Sequence, residues 1–174
     1  MKIISNYLKL LPLLAMVFMI QSCSDDDNVE GPTVMATTVV DVATSSNDFS
    51  ILVSALQRAN LVTTLESTGP FTVFAPTNDA FVNVLSELMI TSLTDLDEAT
   101  VEAVLGIHVI AGVNVTSDEL TTGTQATLGG TIDIDATALT ITDPNDRVIN
   151  IVPALINVQG TNGVVHVVDR VIRP

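Results

Sequence analysis

The sequence predicts an α+β domain with a largely antiparallel sheet, and three observations carry that expectation. Apolar residues recur at helical spacing between residues 37 and 105. From residue 126 onward, short β-type runs alternate with Gly-Gly, Asp-Pro-Asn-Asp and Asn-Gly turn signals. No internal repeat is visible. Helices followed by a run of hairpins give a helical layer on an antiparallel sheet, not alternating βα units.

Ahead of the domain, Lys2 and Lys9 precede an apolar run, Leu10 to Ile20, that ends at Gln21-Ser22-Cys23. A basic start, a short apolar centre and a small residue before a cut make residues 1–22 a secretory signal. The run is about half the ~20 residues that a membrane span needs. Cys23, the only cysteine, follows in a context that resembles a bacterial lipobox, in which the cysteine is lipidated and becomes the first residue. Gln21 departs from the usual small or β-branched choice there. Ser24-Asp25-Asp26-Asp27 resembles the acidic tag that sends some bacterial lipoproteins to the cell surface; the other reading is a solvated tether. Residues 23–36 lack periodicity and carry Gly31-Pro32, so they read as a lipidated cysteine and a flexible tether. The expected location is the outer membrane, facing the cell surface, with the membrane as partner through the lipid on Cys23.

Residues 37–174 form the expected domain. Val39, Val42 and Ala43 suggest a short helix within Thr37–Ser45. Phe49, Leu52, Val53 and Leu56 fall at i, i+3, i+4 and i+7 and predict a second, with Asn47 or Ser46 as cap and Asn60 as a left-handed stop. Leu61–Glu66 adds a further helical turn. A strand over Phe71–Ala75 should stop at Pro76, which has no N–H to donate. Thr77 can then cap a helix with Asp79 in its first turn, burying Ala80, Phe81, Val84, Leu85 and Leu88. Another helix spans Asp97–Leu105, with Val101, Val104 and Leu105 inward, and Gly106 breaks it. Ile107–Ile110 reads as a short strand. Then come three hairpins: Ala126–Leu128 with Thr131–Asp135 around Gly129-Gly130, Ala138–Thr142 with Arg147–Ile151, and Ala154–Gln159 with Val164–Ile172 around Asn162-Gly163. With no Trp present, Phe49, Phe71, Phe74 and Phe81 are the bulkiest core material.

Charge narrows the function. The chain carries 6 basic and 20 acidic residues, for a formal net charge of −14. Cleavage before Cys23 removes both lysines and leaves four arginines: Arg58, Arg147, Arg170 and Arg173. Nucleic-acid binding, which depends on neutralising phosphates, is excluded as a class. An acidic surface suits basic partners, and weak surface binding of divalent cations at Asp133/Asp135 or Asp143/Asp146, although neither pair follows the calcium-loop pattern. His108 and His166 invite a metal reading, but a pair of histidines needs further ligands, and Cys23 lies on the tether. His166 shares a strand face with Val164 and Val168 and is expected to be a buried neutral ring. Asp169 is expected to make structural hydrogen bonds. No Gly-x-Ser-x-Gly and no phosphate-cradling glycine loop occurs, so neither an enzyme nor a cofactor is expected.

The segment Gly69–Phe81, GPFTVFAPTNDAF, resembles the first signature of the fasciclin domain, and Asn162–Pro174, NGVVHVVDRVIRP, resembles its closing signature. Between them Val104–Gly112, VLGIHVIAG, resembles the family's central stretch. The three fit one domain over residues 37–174. The resemblance implies a wedge-shaped β-sandwich with a helical layer, working as a non-catalytic extracellular adhesion or interaction module. It marks His108 as a candidate contact, with Ile107 standing where the family usually has Tyr. Phe71, Phe74, Pro76, Thr77, Asp79, Phe81, Asn162, Gly163, His166 and Asp169 become structural motif residues. The leading expectation is a surface lipoprotein that binds an unknown extracellular protein. The alternative is a glycan-binding accessory of a polysaccharide uptake system, which the low aromatic content of 3% disfavours.

Overall fold

The computed structural model describes residues 37–174. The signal, Cys23 and the tether lie outside the described residues. Helices fill the first part: α1 (Val39–Thr44), α2 (Ser50–Arg58), α3 (Val62–Leu65), α4 (Asn78–Glu87) and α5 (Glu98–Gly106). Strand β1 (Phe71–Pro76) separates α3 from α4, and β2 (Val109–Ala111) follows α5. The remainder is β3 (Gly123–Thr127), β4 (Gly130–Asp135), β5 (Thr140–Thr142), β6 (Val148–Asn150), β7 (Val158–Gly160) and β8 (Gly163–Val168). They form two four-stranded sheets, ordered β2-β1-β8-β7 and β3-β4-β5-β6. This is the expected α+β class.

The caps explain where the helices start. Thr38 accepts from the Asp41 N–H while Asp41 reaches back to the Thr38 N–H, a reciprocal capping box at α1. Thr77 accepts from the Ala80 N–H at 3.3 Å and starts α4, as its sequence suggests. Asp97 does the same for α5 through the Thr100 N–H at 2.8 Å. Asn60 ends the α2 region with φ 55, the left-handed stop read from the sequence.

The centre of the first sheet departs from an all-hairpin pattern. β1 and β8 pair in parallel, Phe71 opposite Gly163 and Phe74 opposite His166. The two signature segments are therefore neighbours in space. Their glycines permit the approach: a Cβ on Gly163 would sit 2.2 Å from the Phe71 carbonyl oxygen, and one on Gly69 would sit 2.2 Å from that of Asn162. Every residue of both strands is buried, as expected for a parallel pair covered on both faces. Alternation along β1 divides the core in two. Phe71, Val73 and Ala75, with Val165 and Val167 of β8, pack with the helices, Phe49 and Phe81. Phe74 and Val168 pack instead with Ile132, Ile134, Ile141 and Ile149 of the second sheet.

Several boundaries differ from the sequence expectation. Pro76 closes β1 from inside the strand. Gly106 is the last residue of α5, not a break before the next element. Its small size serves a contact, since an added Cβ would lie 3.1 Å from the Gly129 backbone. Register Thr127 opposite Gly130 makes Leu128-Gly129 the turn, and Gly160 opposite Gly163 makes Thr161-Asn162 the turn. Each sits one residue earlier than its glycine signal indicates. Ala154 lies in a 3₁₀ turn, Pro153–Leu155, rather than in a strand. β8 ends at Val168, because Asp169 turns away to bond Asn150. Leu88, expected on the inner face of α4, is 42% exposed.

Candidate interaction surface

Both contact candidates singled out by sequence lie in the interior, and the exposed apolar residues form a separate surface set. Ile107 and His108 are 0% and 1% exposed. Neither side chain reaches the surface, which corrects their reading as contacts. α5 and β2 hold the His108 ring. Its Nδ1 faces the Val104 carbonyl at 2.6 Å, and its Nε2 accepts from the Ile172 N–H at 2.9 Å. A backbone N–H can only donate, so the ring proton sits on Nδ1 and the ring is neutral. Burial pushes its pKa down from 6.5 to about 4, partly opposed by the Val104 carbonyl. His166 is built alike. Nδ1 accepts from the Asn157 N–H at 3.3 Å, Nε2 faces the Val115 carbonyl at 2.8 Å, and burial lowers its pKa. Its ring lies 5.8 Å from that of Phe74, centre to centre. With both nitrogens of each ring engaged by backbone, neither histidine offers a metal ligand.

Asn162 and Asp169 are tie points. Asn162 Nδ2 donates to the carbonyls of Leu65 (2.7 Å) and Ser67 (2.8 Å), and Oδ1 accepts from the Val39 N–H (3.0 Å). Asp169 accepts from the Asn150 N–H (2.8 Å) and Nδ2 (2.7 Å), which fastens the end of β8 to β6 of the other sheet.

In the acidic pairs, Asp133, Asp135 and Asp143 are engaged by neighbouring groups of the fold. Asp133 accepts from the Thr124 hydroxyl at 2.5 Å, and Asp135 from the N–H groups of Thr137 and Ala138. Asp143 is only 3% exposed, which corrects its reading as a surface carboxylate. It accepts from the Asn145 N–H at 2.9 Å, the Arg147 N–H at 3.1 Å and the Arg147 guanidinium. Among the described residues, no group of three or more His, Cys, Asp or Glu is placed to hold a metal ion.

The surface set centres on α4 and was not visible in the sequence. Val82, Leu88 and Met89 are exposed by 53%, 42% and 93%. Beside them, a groove of about 270 Å³ is walled by Val84, Leu85, Leu88, Leu93, Leu96 and Val104, with Arg173 also lining it. A second hollow of about 390 Å³, sharing Val84 and Val171 with the groove, is lined by Glu87, Arg147 and Arg170. Arg173 and Arg147 both point at the same oxygen, Glu87 Oε2, at 3.3 and 3.7 Å. Three of the four arginines outside the signal thus converge. Their scarcity was readable; that Arg147 meets Arg170 and Arg173 follows only from the fold.

A model of the fasciclin domain matches residues 47–174. The chain belongs to the fasciclin domain family. Protein sll1483 from Synechocystis is 36% identical over 139 residues, covering 80% of this chain and 74% of that protein. The transforming growth factor-beta-induced protein ig-h3 of Sus scrofa is also 36% identical, over 140 residues, but the match spans 79% of this chain and only 19% of that one. The fasciclin fold itself is seen in the solved domain pair of the insect cell adhesion molecule Fasciclin I, with a TM-score of 0.61 at 18% identity, covering 77% of this chain and 50% of that one. Among the described residues, no helix is long and apolar enough to cross a membrane.

Proposed function

We propose that this fasciclin domain protein is a lipoprotein displayed on a bacterial cell surface through Cys23. On this reading it acts by non-catalytic contact with another protein or cell. One observation carries the contact reading: Val82 on α4, and Leu88 and Met89 just past its end, hold apolar side chains in solvent on an acidic molecule. Exposed apolar surface of that kind gains by being covered. Likeness to a molecule whose name states cell adhesion supports the same reading. Ile107 and His108, being interior, are not the contact. An antibody against the domain, applied to intact cells, is expected to bind without permeabilisation; staining that appears only after permeabilisation would sink surface display. Met89→Glu is expected to reduce attachment of the cells to their target surface while leaving the thermal midpoint unchanged.

A further inference from the structure

Outside the signal, cations are scarce in this chain, yet Arg173 lines one apolar groove, and Arg147 and Arg170 line the hollow that adjoins it at Val84 and Val171. We propose that this groove, between α4 and α5, binds a small amphiphile: an acyl chain ending in a single carboxylate. The inference goes beyond surface display and adhesion and does not depend on them.

The walls select the tail. Val84, Leu85, Leu88, Leu93, Leu96 and Val104 give an aliphatic lining with little to hydrogen-bond. The head is selected by Arg173 at the groove and Arg170 in the adjoining hollow, since Arg147 is already paired with Asp143. Glu87 is the carboxylate that Arg173 and Arg147 share, a single oxygen serving them at 3.3 and 3.7 Å. Charge-assisted pairs close to about 2.7–2.9 Å when well made. Glu87 is also the last residue of α4, where the helix dipole disfavours an anion. Its carboxylate is therefore weakly held and easily displaced. Arg170 is exposed and makes no ion pair among the described residues. The Nε atoms of Arg147 and Arg173 are buried without a hydrogen-bond partner.

Net charge decides the size of the ligand. At −14 the molecule repels polyanions such as nucleic acid or an acidic protein face. A monoanion feels that field least, and once inside the groove it meets the local arginines within a Debye length.

Calorimetric titration of the full chain with dodecanoate, below its micelle concentration, tests the assignment, with dodecylammonium as the same tail bearing the opposite head. Dodecanoate is expected to bind one to one and dodecylammonium not to bind. Arg170→Ala should weaken binding about tenfold or more without loss of fold, since Arg170 is exposed. Glu87→Gln should strengthen it by removing the competing anion. Absence of binding, or equal binding of both amphiphiles, overturns the proposal. So does a Glu87→Gln variant that binds no better than the parent. A leucine-rich peptide with one aspartate that outcompetes dodecanoate would give the groove to a protein partner instead. A dimer lost in Arg170→Ala would give it to a second copy. Each of these results leaves the antibody test of display untouched.

Discussion

Phe74 has no exposed surface and joins the sheets, reaching from β1 into the isoleucine core of the second sheet. Phe74→Ala removes a whole ring from a site walled by two sheets that cannot both collapse inward. It is expected to cost about 3–5 kcal/mol, read from the denaturant midpoint. Near-parental stability would mean that the ring is not the joint described. The sequence marked this phenylalanine as core, but not that it faces away from Phe71, Phe49 and Phe81. Only the alternation along β1, with both faces covered, assigns rings to one core or the other. His108 shows the limit from the other side. Its residue type and motif were legible, whereas its use as an internal backbone clamp depends on Ile172, which the fold brings in from the far end of the domain.

Turns and helix starts were the most legible elements, because their chemistry is local. Thr77 and Asp97 act within three residues of themselves, and so does Asn60. Register was less legible: a glycine pair shows that a turn is near but not which residue closes the ladder, and both glycine turns sit one residue early. Contacts between elements were not legible. Asn162 reads as half of an Asn-Gly turn, yet its side chain binds the start of α1 and the end of α3. Asn162→Asp keeps the size and the acceptor but loses both donors, and it leaves an anion facing two carbonyl oxygens. A loss of about 3 kcal/mol or more is expected in chemical denaturation. An unchanged midpoint would show that the three bonds are dispensable.

For the molecule as a whole, the two buried neutral rings make stability a function of pH. His108 keeps its neutral form down to about pH 4 in the fold, whereas the unfolded chain takes up a proton near 6.5. Above 6.5 neither state is charged and nothing is lost. Below it, the unfolded chain gains a proton that the native state refuses, so stability falls as pH drops from 6.5 toward 4. His108 alone accounts for about 1.4 kcal/mol per pH unit in that window, and His166 acts in the same direction. Unfolding free energies compared at pH 7 and pH 5.5 should differ accordingly; a flat profile would mean that the rings are solvated. The α+β class was legible at this scale from the order of periodicities. The arginine cluster was not, since Glu87, Arg147 and Arg173 meet only when both sheets are in place.

The parallel pairing of β1 with β8 also sets the timing of assembly. Phe71 and its neighbour Gly163 stand far apart in the domain's sequence, with most of it between them. Until residues 163–168 dock, one long edge of β1 has nothing to bond, and neither hydrophobic core is complete. Such distant pairing folds slowly, so the domain commits to its final shape only when β8 takes its place beside β1.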